Sequence, residues 1–193
     1  MSRSVKILAF SGSARKDSVN QRLANAAAVS LRQLGAEVTL VNLAQFDLPL
    51  FDEDLEKENG TPEGAVELKA LMKSHHGFII ASPEYNSSLT PLLKNAIDWA
   101  SRPAEGEMGL AAFSGKTASL LSASPGALGG LRGLVHLRAI LGSINMLVLP
   151  MQVALPSAFS AFNEDGTLLD ENNQKKIDAL AAEVIGYTSK LLG

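Results

Sequence analysis

Short apolar runs rich in β-branched and aromatic residues alternate with helix-spaced segments along nearly the whole chain. That alternation is the pattern of a parallel sheet covered by helices on both faces. Strands are predicted at Val5–Phe10, Ala36–Asn42, Gly77–Ser82, Lys116–Ser124 and Asn145–Leu155. The helices between them run Val19–Leu34, Pro62–Ser74, Pro91–Ala100 and Leu128–Leu141, with a closing one over Asp170–Leu191. Pro62 and Pro91 suit a first helical turn, where the missing N–H costs nothing, and Gly35 suits a stop. At 193 residues, 46% of them hydrophobic, one domain with a substantial core is expected over 1–193.

Five parallel strands in this length match the flavodoxin-like doubly wound α/β arrangement, order 2-1-3-4-5, helices on both faces. Its ligands lie outside the strand carboxyl ends, at the switch point beside strands 1 and 3. The loop after strand 1 fits that position. Ser11-Gly12-Ser13-Ala14-Arg15-Lys16-Asp17-Ser18-Val19-Asn20-Gln21 leads into a helix start, where free N–H groups and the dipole favour an anion. Ser11, Ser13 and Ser18, the Asn20 amide and the Arg15 fork supply further donors, and Gly12 permits a close turn. With a single glycine the loop has neither G-x-x-x-x-G-K-[ST] nor G-x-G-x-x-G, which points to a terminal monophosphate. Ser18 or Asn20 as a plain helix cap is the alternative.

The loop after strand 3, Pro83-Glu84-Tyr85-Asn86-Ser87-Ser88-Leu89-Thr90, reaches the same edge. Pro83 restricts the backbone, Tyr85 offers an aromatic face, and Asn86 with nearby N–H groups can reach ring heteroatoms, a surface suited to a flat heterocycle such as an isoalloxazine. Alternatively, Asn86 adopts a left-handed conformation in a structural turn. A third turn, Ser122-Ala123-Ser124-Pro125-Gly126 followed by Gly129-Gly130, offers either small residues lying against the ring or close helix–sheet packing.

Taken together, Gly12-Ser13-x-Arg15-x-x-Ser18-x-Asn20, Pro83-Glu84-Tyr85-Asn86-Ser87, Leu93-Lys94-Asn95-Ala96-Ile97-Asp98-Trp99 and the Ser122–Gly126 turn resemble the NADPH-dependent FMN reductase family. The resemblance spans roughly residues 5–155. It implies a tightly held FMN, reduced by NADPH or NADH and reoxidised in the same pocket by a small-molecule acceptor: a quinone, a flavin, chromate or an azo compound. It would place Ser13, Arg15, Ser18 and Asn20 on the phosphate and Pro83, Glu84, Tyr85 and Asn86 on the ring, with Ser122, Ser124 and Gly126 nearby. No acid–base residue is required, because the cofactor carries the hydride chemistry. The competing reading is a flavodoxin-type electron carrier without substrate turnover, for which a formal charge of −3 is mild. A non-redox phosphate binder is the third.

Composition narrows the classes further. A chain without cysteine has no disulfide, thiolate nucleophile or Cys-ligated metal. The weak negative charge implies neither nucleic acid nor membrane as a partner, and a cytoplasmic homodimer or homotetramer is expected. The predicted interface lies near Pro91–Ala100 with Trp99, the alternative to a core position for that ring, and near Met108–Phe113. The acidic stretch Asp47–Thr61 reads as a solvated rim, and Arg102 as a surface charge or a nucleotide contact. His75 and His76 suit a helix end, and His136 a packing or interface role.

Overall fold

The computed structural model describes residues 4–104, 106–107 and 109–193. Its sheet has five parallel strands: β1 (Lys6–Ser11), β2 (Glu37–Asn42), β3 (Gly77–Ala81), β4 (Thr117–Ala123) and β5 (Leu147–Leu155), in the order β2-β1-β3-β4-β5. The helices are α1 (Val19–Gln33), α2 (Glu53–Asn59), α3 (Glu63–Ser74), α4 (Pro91–Ser101), α5 (Leu131–Ser143) and α6 (Glu171–Leu192). β3 and β4 are buried along their whole length, so β3 reads as a continuous apolar run rather than an alternating one, while β4 also buries the hydroxyl residues Thr117, Ser119 and Ser122.

Strand alternation divides the core in two. Ile7, Ala9, Ile79 and Leu121 pack with Leu23, Ala27 and Leu31 of α1 and with Ile177, Leu180 and Val184 of α6. Leu8, Phe10, Phe78, Ile80 and Leu120 face Leu68 of α3, Leu93 and Ile97 of α4, and Leu134 and Leu137 of α5. Both faces are therefore closed by helices, and all the strand-to-helix loops emerge at the carboxyl edge.

Three expectations change. The acidic stretch contains α2, capped by Asp52 through the N–H groups of Asp54 and Leu55. No residue of α2 is buried, so no apolar stripe marked it. Before it, residues 48–51 form a strap across α4: Asn95 Nδ2 and Trp99 Nε1 donate to Pro49 O at 2.9 and 2.7 Å, and Phe51 N donates to Asn95 Oδ1 at 2.8 Å. Trp99 is thereby fully buried within its own chain, edge-on to Phe51, and offers nothing to a second subunit. Arg102 is likewise engaged, with Nε 2.8 Å from Glu56 Oε2 and its guanidinium over Phe51. Ala112 and Phe113 are buried against the α3–α5 face, while Met108 lies outside the described residues. Third, α5 starts at Leu131 rather than Leu128, because Gly129 and Gly130 both take positive φ, 61° and 89°. No helix among the described residues is long and apolar enough to cross a membrane.

Candidate functional site

Three loops of the carboxyl edge are tied to one another. The first, residues 12–18, follows β1. Gly12 N donates to Ala81 O at 2.9 Å, and Thr90 Oγ1 donates to Gly12 O at 2.6 Å, joining it to the loop after β3. A Cβ on Gly12 would lie 3.0 Å from Leu93 Cβ and 3.1 Å from Thr90 Oγ1, so packing on α4 explains this glycine. Ser18 caps α1, its side chain accepting from Gln21 N at 3.3 Å. The N–H groups of Val19 and Asn20 have no acceptor among the described residues, as first-turn donors need an external one. Ser13 is buried and its Oγ accepts from Arg15 N at 3.3 Å, while the Arg15 side chain is exposed.

Asn20 is committed in part. Its Nδ2 donates to Ala123 O and its Oδ1 accepts from Ala123 N, both at 2.8 Å, fastening the start of α1 to the end of β4. Only its second amide hydrogen remains for a ligand. Gln21 is similarly committed, its Nε2 donating to Asn25 Oδ1 and its backbone N–H to Ser18 Oγ.

In the second loop Tyr85 and Ser88 exchange backbone hydrogen bonds at 2.9 and 3.0 Å around Asn86 and Ser87, which have φ of 50° and 67°. Two left-handed residues in succession make a primed tight turn. Asn86 therefore does take the left-handed conformation, and the turn presents Tyr85 to solvent. The Glu84 carboxylate is engaged with α5, which leaves the backbone of this residue for the ring contact expected of it. Its Oε2 accepts from Arg132 N at 3.0 Å and Gly133 N at 3.2 Å, and its Oε1 from Arg132 Nε at 2.8 Å. Its carboxylate is the cap of α5, whose own cap residue, Gly130, has no side chain to offer. Burial pushes the Glu84 pKa up, but Arg132 and the Gly133 N–H outweigh it and hold the group below its ordinary value.

The third loop follows β4. Gly129 and Gly130 serve close packing: a Cβ on Gly129 would lie 2.7 Å from the Leu155 backbone, and one on Gly130 1.8 Å from Ser122 Oγ. Ser124 Oγ accepts from Gly126 N, and a Cβ on Gly126 would meet only that hydroxyl, at 3.7 Å, so this part of the turn is open. Ser11 and Ser122 hydroxyls are buried without a partner among the described residues. The role of Thr90, which was placed in this loop, and the presence of Arg132 at the edge were missed. Thr before Pro91 is an N-cap signal that would have found the first.

A family model described as NADPH-dependent FMN reductase matches residues 5–160. The chain belongs to the NADPH-dependent FMN reductase family. An NAD(P)H-dependent FMN reductase of Pseudomonas aeruginosa is 36% identical over 178 residues, 92% of this chain and 91% of that protein. An NAD(P)H:quinone oxidoreductase of Solanum tuberosum is 35% identical over 195 residues, covering 98% and 95%. The solved FerB flavoenzyme, an NAD(P)H:(acceptor) oxidoreductase from Paracoccus denitrificans, superimposes with a TM-score of 0.83 at 27% identity, over 96% of this chain and 98% of that one. This FMN reductase family member is thus an oxidoreductase that uses FMN with NAD(P)H as reductant, and the carrier reading gives way.

The residues fit that cofactor. The start of α1 supplies unoccupied N–H donors beside two serine hydroxyls and a cationic side chain, the requirements of a terminal phosphate. The tight turn at Asn86 and Ser87 and the open Ser124–Gly126 segment leave room for a flat ring. The imidazole of His75, by contrast, lies at the opposite edge, after α3, with Nε2 2.8 Å from Thr39 Oγ1 and Nδ1 2.8 Å from Leu71 O.

Proposed function

We propose that FMN lies along the carboxyl edge, with its phosphate on Ser13, Arg15, Ser18 and the Val19–Gln21 turn and its ring against Pro83, Tyr85, Asn86 and Ser87. The acceptor is a quinone or a similar small molecule, with flavin, chromate and azo compounds as the further members of that class to assay. One observation carries the placement: of the three helices that begin at this edge beside the β1, β3 and β4 loops, α1 leaves two first-turn N–H groups, those of Val19 and Asn20, without an acceptor among the described residues, whereas α4 starts with Pro91 and leaves only that of Leu92, and α5 is closed by Glu84. FMN, when bound, takes two electrons from NAD(P)H and passes them to the acceptor. The protein's share is positional. α1 neutralises the phosphate, the Tyr85–Ser88 turn fixes the ring's edge, and the bonds of Thr90 and Asn20 keep the three loops in register.

Titration of apoprotein tests the placement. FMN should bind at least about tenfold more tightly than riboflavin, the margin of one charge-assisted contact of about 1.5 kcal/mol. Equal affinities would overturn the phosphate assignment. Parallel double-reciprocal lines with NADPH and a benzoquinone would support a shared site, and intersecting lines would reject it.

A cytoplasmic homodimer or homotetramer remains part of the proposal, with an interface that keeps the start of the expected helix, α4, but leaves out Trp99 and residues 112–113, which are buried in their own chain. An apolar groove of about 520 Å³ between α4 and α5, lined by Leu89, Pro91, His136, Ala139 and Ile140, lies beside the exposed Val135. Large exposed apolar surface of this kind suits subunit contact. Sedimentation showing a fully active monomer would reject it.

A further inference from the structure

Arg132 is a cation at the carboxyl edge for which the placement of FMN has no use. Its guanidinium is held by one side only: Nε and Nη2 lie 2.8 and 2.5 Å from Glu84 Oε1, and Nη1 has no acceptor among the described residues. The two partners differ sharply in exposure, 8% for the Glu84 side chain and 59% for that of Arg132. Glu84 Oε2 is meanwhile spent on two backbone N–H groups of α5. Arg132 is therefore a fork whose inner side is fixed and whose outer side faces solvent.

An arginine ordinarily loses rotamer freedom when it binds an anion, and here most of that freedom is already gone. The surroundings add a second element. Tyr85 adjoins Glu84 in the chain, Leu131 adjoins Arg132, and Leu128 lies one turn earlier; all three are large and exposed. An anchored cation bordered by exposed apolar side chains complements a planar ring that carries phosphate. Of the two reactants, the pyridine nucleotide has that chemistry.

We propose that Arg132 binds a phosphate group of the pyridine nucleotide, and that Glu84 is the positioning residue that holds it ready. The inference rests on the placement of FMN at this edge. It also explains why a capping carboxylate is paired with an arginine that α5 does not need: the two backbone N–H groups would satisfy Glu84 as a cap without it.

The test uses the FMN-loaded protein, Arg132→Gln and Arg132→Lys, with one benzoquinone acceptor and either NADPH or NADH. Flavin absorbance per chain is measured alongside, and establishes separately whether FMN placement holds. Arg132→Gln should raise KM for the nucleotide about tenfold, with kcat within about twofold and flavin content unchanged. Arg132→Lys, which keeps the charge and loses the fork, should fall between. A rise with NADPH alone identifies the 2′-phosphate as the group bound, and an equal rise with NADH identifies the diphosphate. Unchanged KM for both nucleotides overturns the proposal, whether or not sedimentation shows that Arg132 serves a subunit contact instead. Loss of flavin from the variants would overturn it too, by placing Arg132 on FMN.

Discussion

Two helix starts face the same edge of this molecule, and they are finished differently. α1 begins with Ser18, which satisfies Gln21 N and leaves Val19 and Asn20 N–H groups without a protein acceptor. α5 begins after Gly130 and takes its anion from Glu84, 48 residues earlier in the chain. Each start has the same partial positive charge. At α5 the protein supplies its own carboxylate; at α1 it supplies none, which is why the proposal places the FMN phosphate there.

Removing the carboxylate is the hardest blow to this contrast. Glu84→Ala should destabilise the fold by about 2–3 kcal/mol in urea unfolding, since it strips two helix N–H groups and an arginine of their acceptor. If α5 is only structural, FMN affinity referred to the folded fraction should change far less than after changes at α1. A comparable loss of both would erase the distinction.

Ser18→Ala probes the other start. Loss of the cap should cost about 1 kcal/mol of stability. Because the same hydroxyl lies at the anion end, FMN should also bind several-fold more weakly while riboflavin is unaffected, as titration of apoprotein would read.

Acid unfolding sharpens the comparison further. The Glu84 carboxyl is held below its ordinary value, so the unfolded chain takes up that proton first as pH falls. Its stabilisation is complete above about pH 4.3 and drains away below it, and Glu84→Gln should flatten that limb. A smaller effect, at neither helix start, serves as the control. Burial lowers the His75 pKa, so stability should fall as pH drops below about 6.5, and His75→Asn should remove that slope without altering FMN affinity.

The sheet order and the two loops at the switch point were legible because local pattern dictates them: apolar runs make strands, and hydroxyls with Asn and Gly make turns. Ser18 and Asn86 could each be assigned two readings from sequence, and the cap and the left-handed turn are both present at the edge where the ligand is placed. Glu84 was not legible. Nothing local to a glutamate in a turn marks that its carboxylate closes a helix 48 residues on. The same holds for Asn20, whose amide spans to Ala123, and for α2, which lacks buried residues and hence any periodic stripe. Interactions between distant segments decided all three.

The strap across α4 has a consequence for spectroscopy. The chain contains one tryptophan, and its indole N–H is bound to Pro49 O with Phe51 packed against the ring. Its emission is therefore an optical gauge of whether residues 48–51 stay docked on their own helix. A red shift would mark release of that segment and entry of water around the indole, whereas separating subunits by dilution should leave the spectrum where it was.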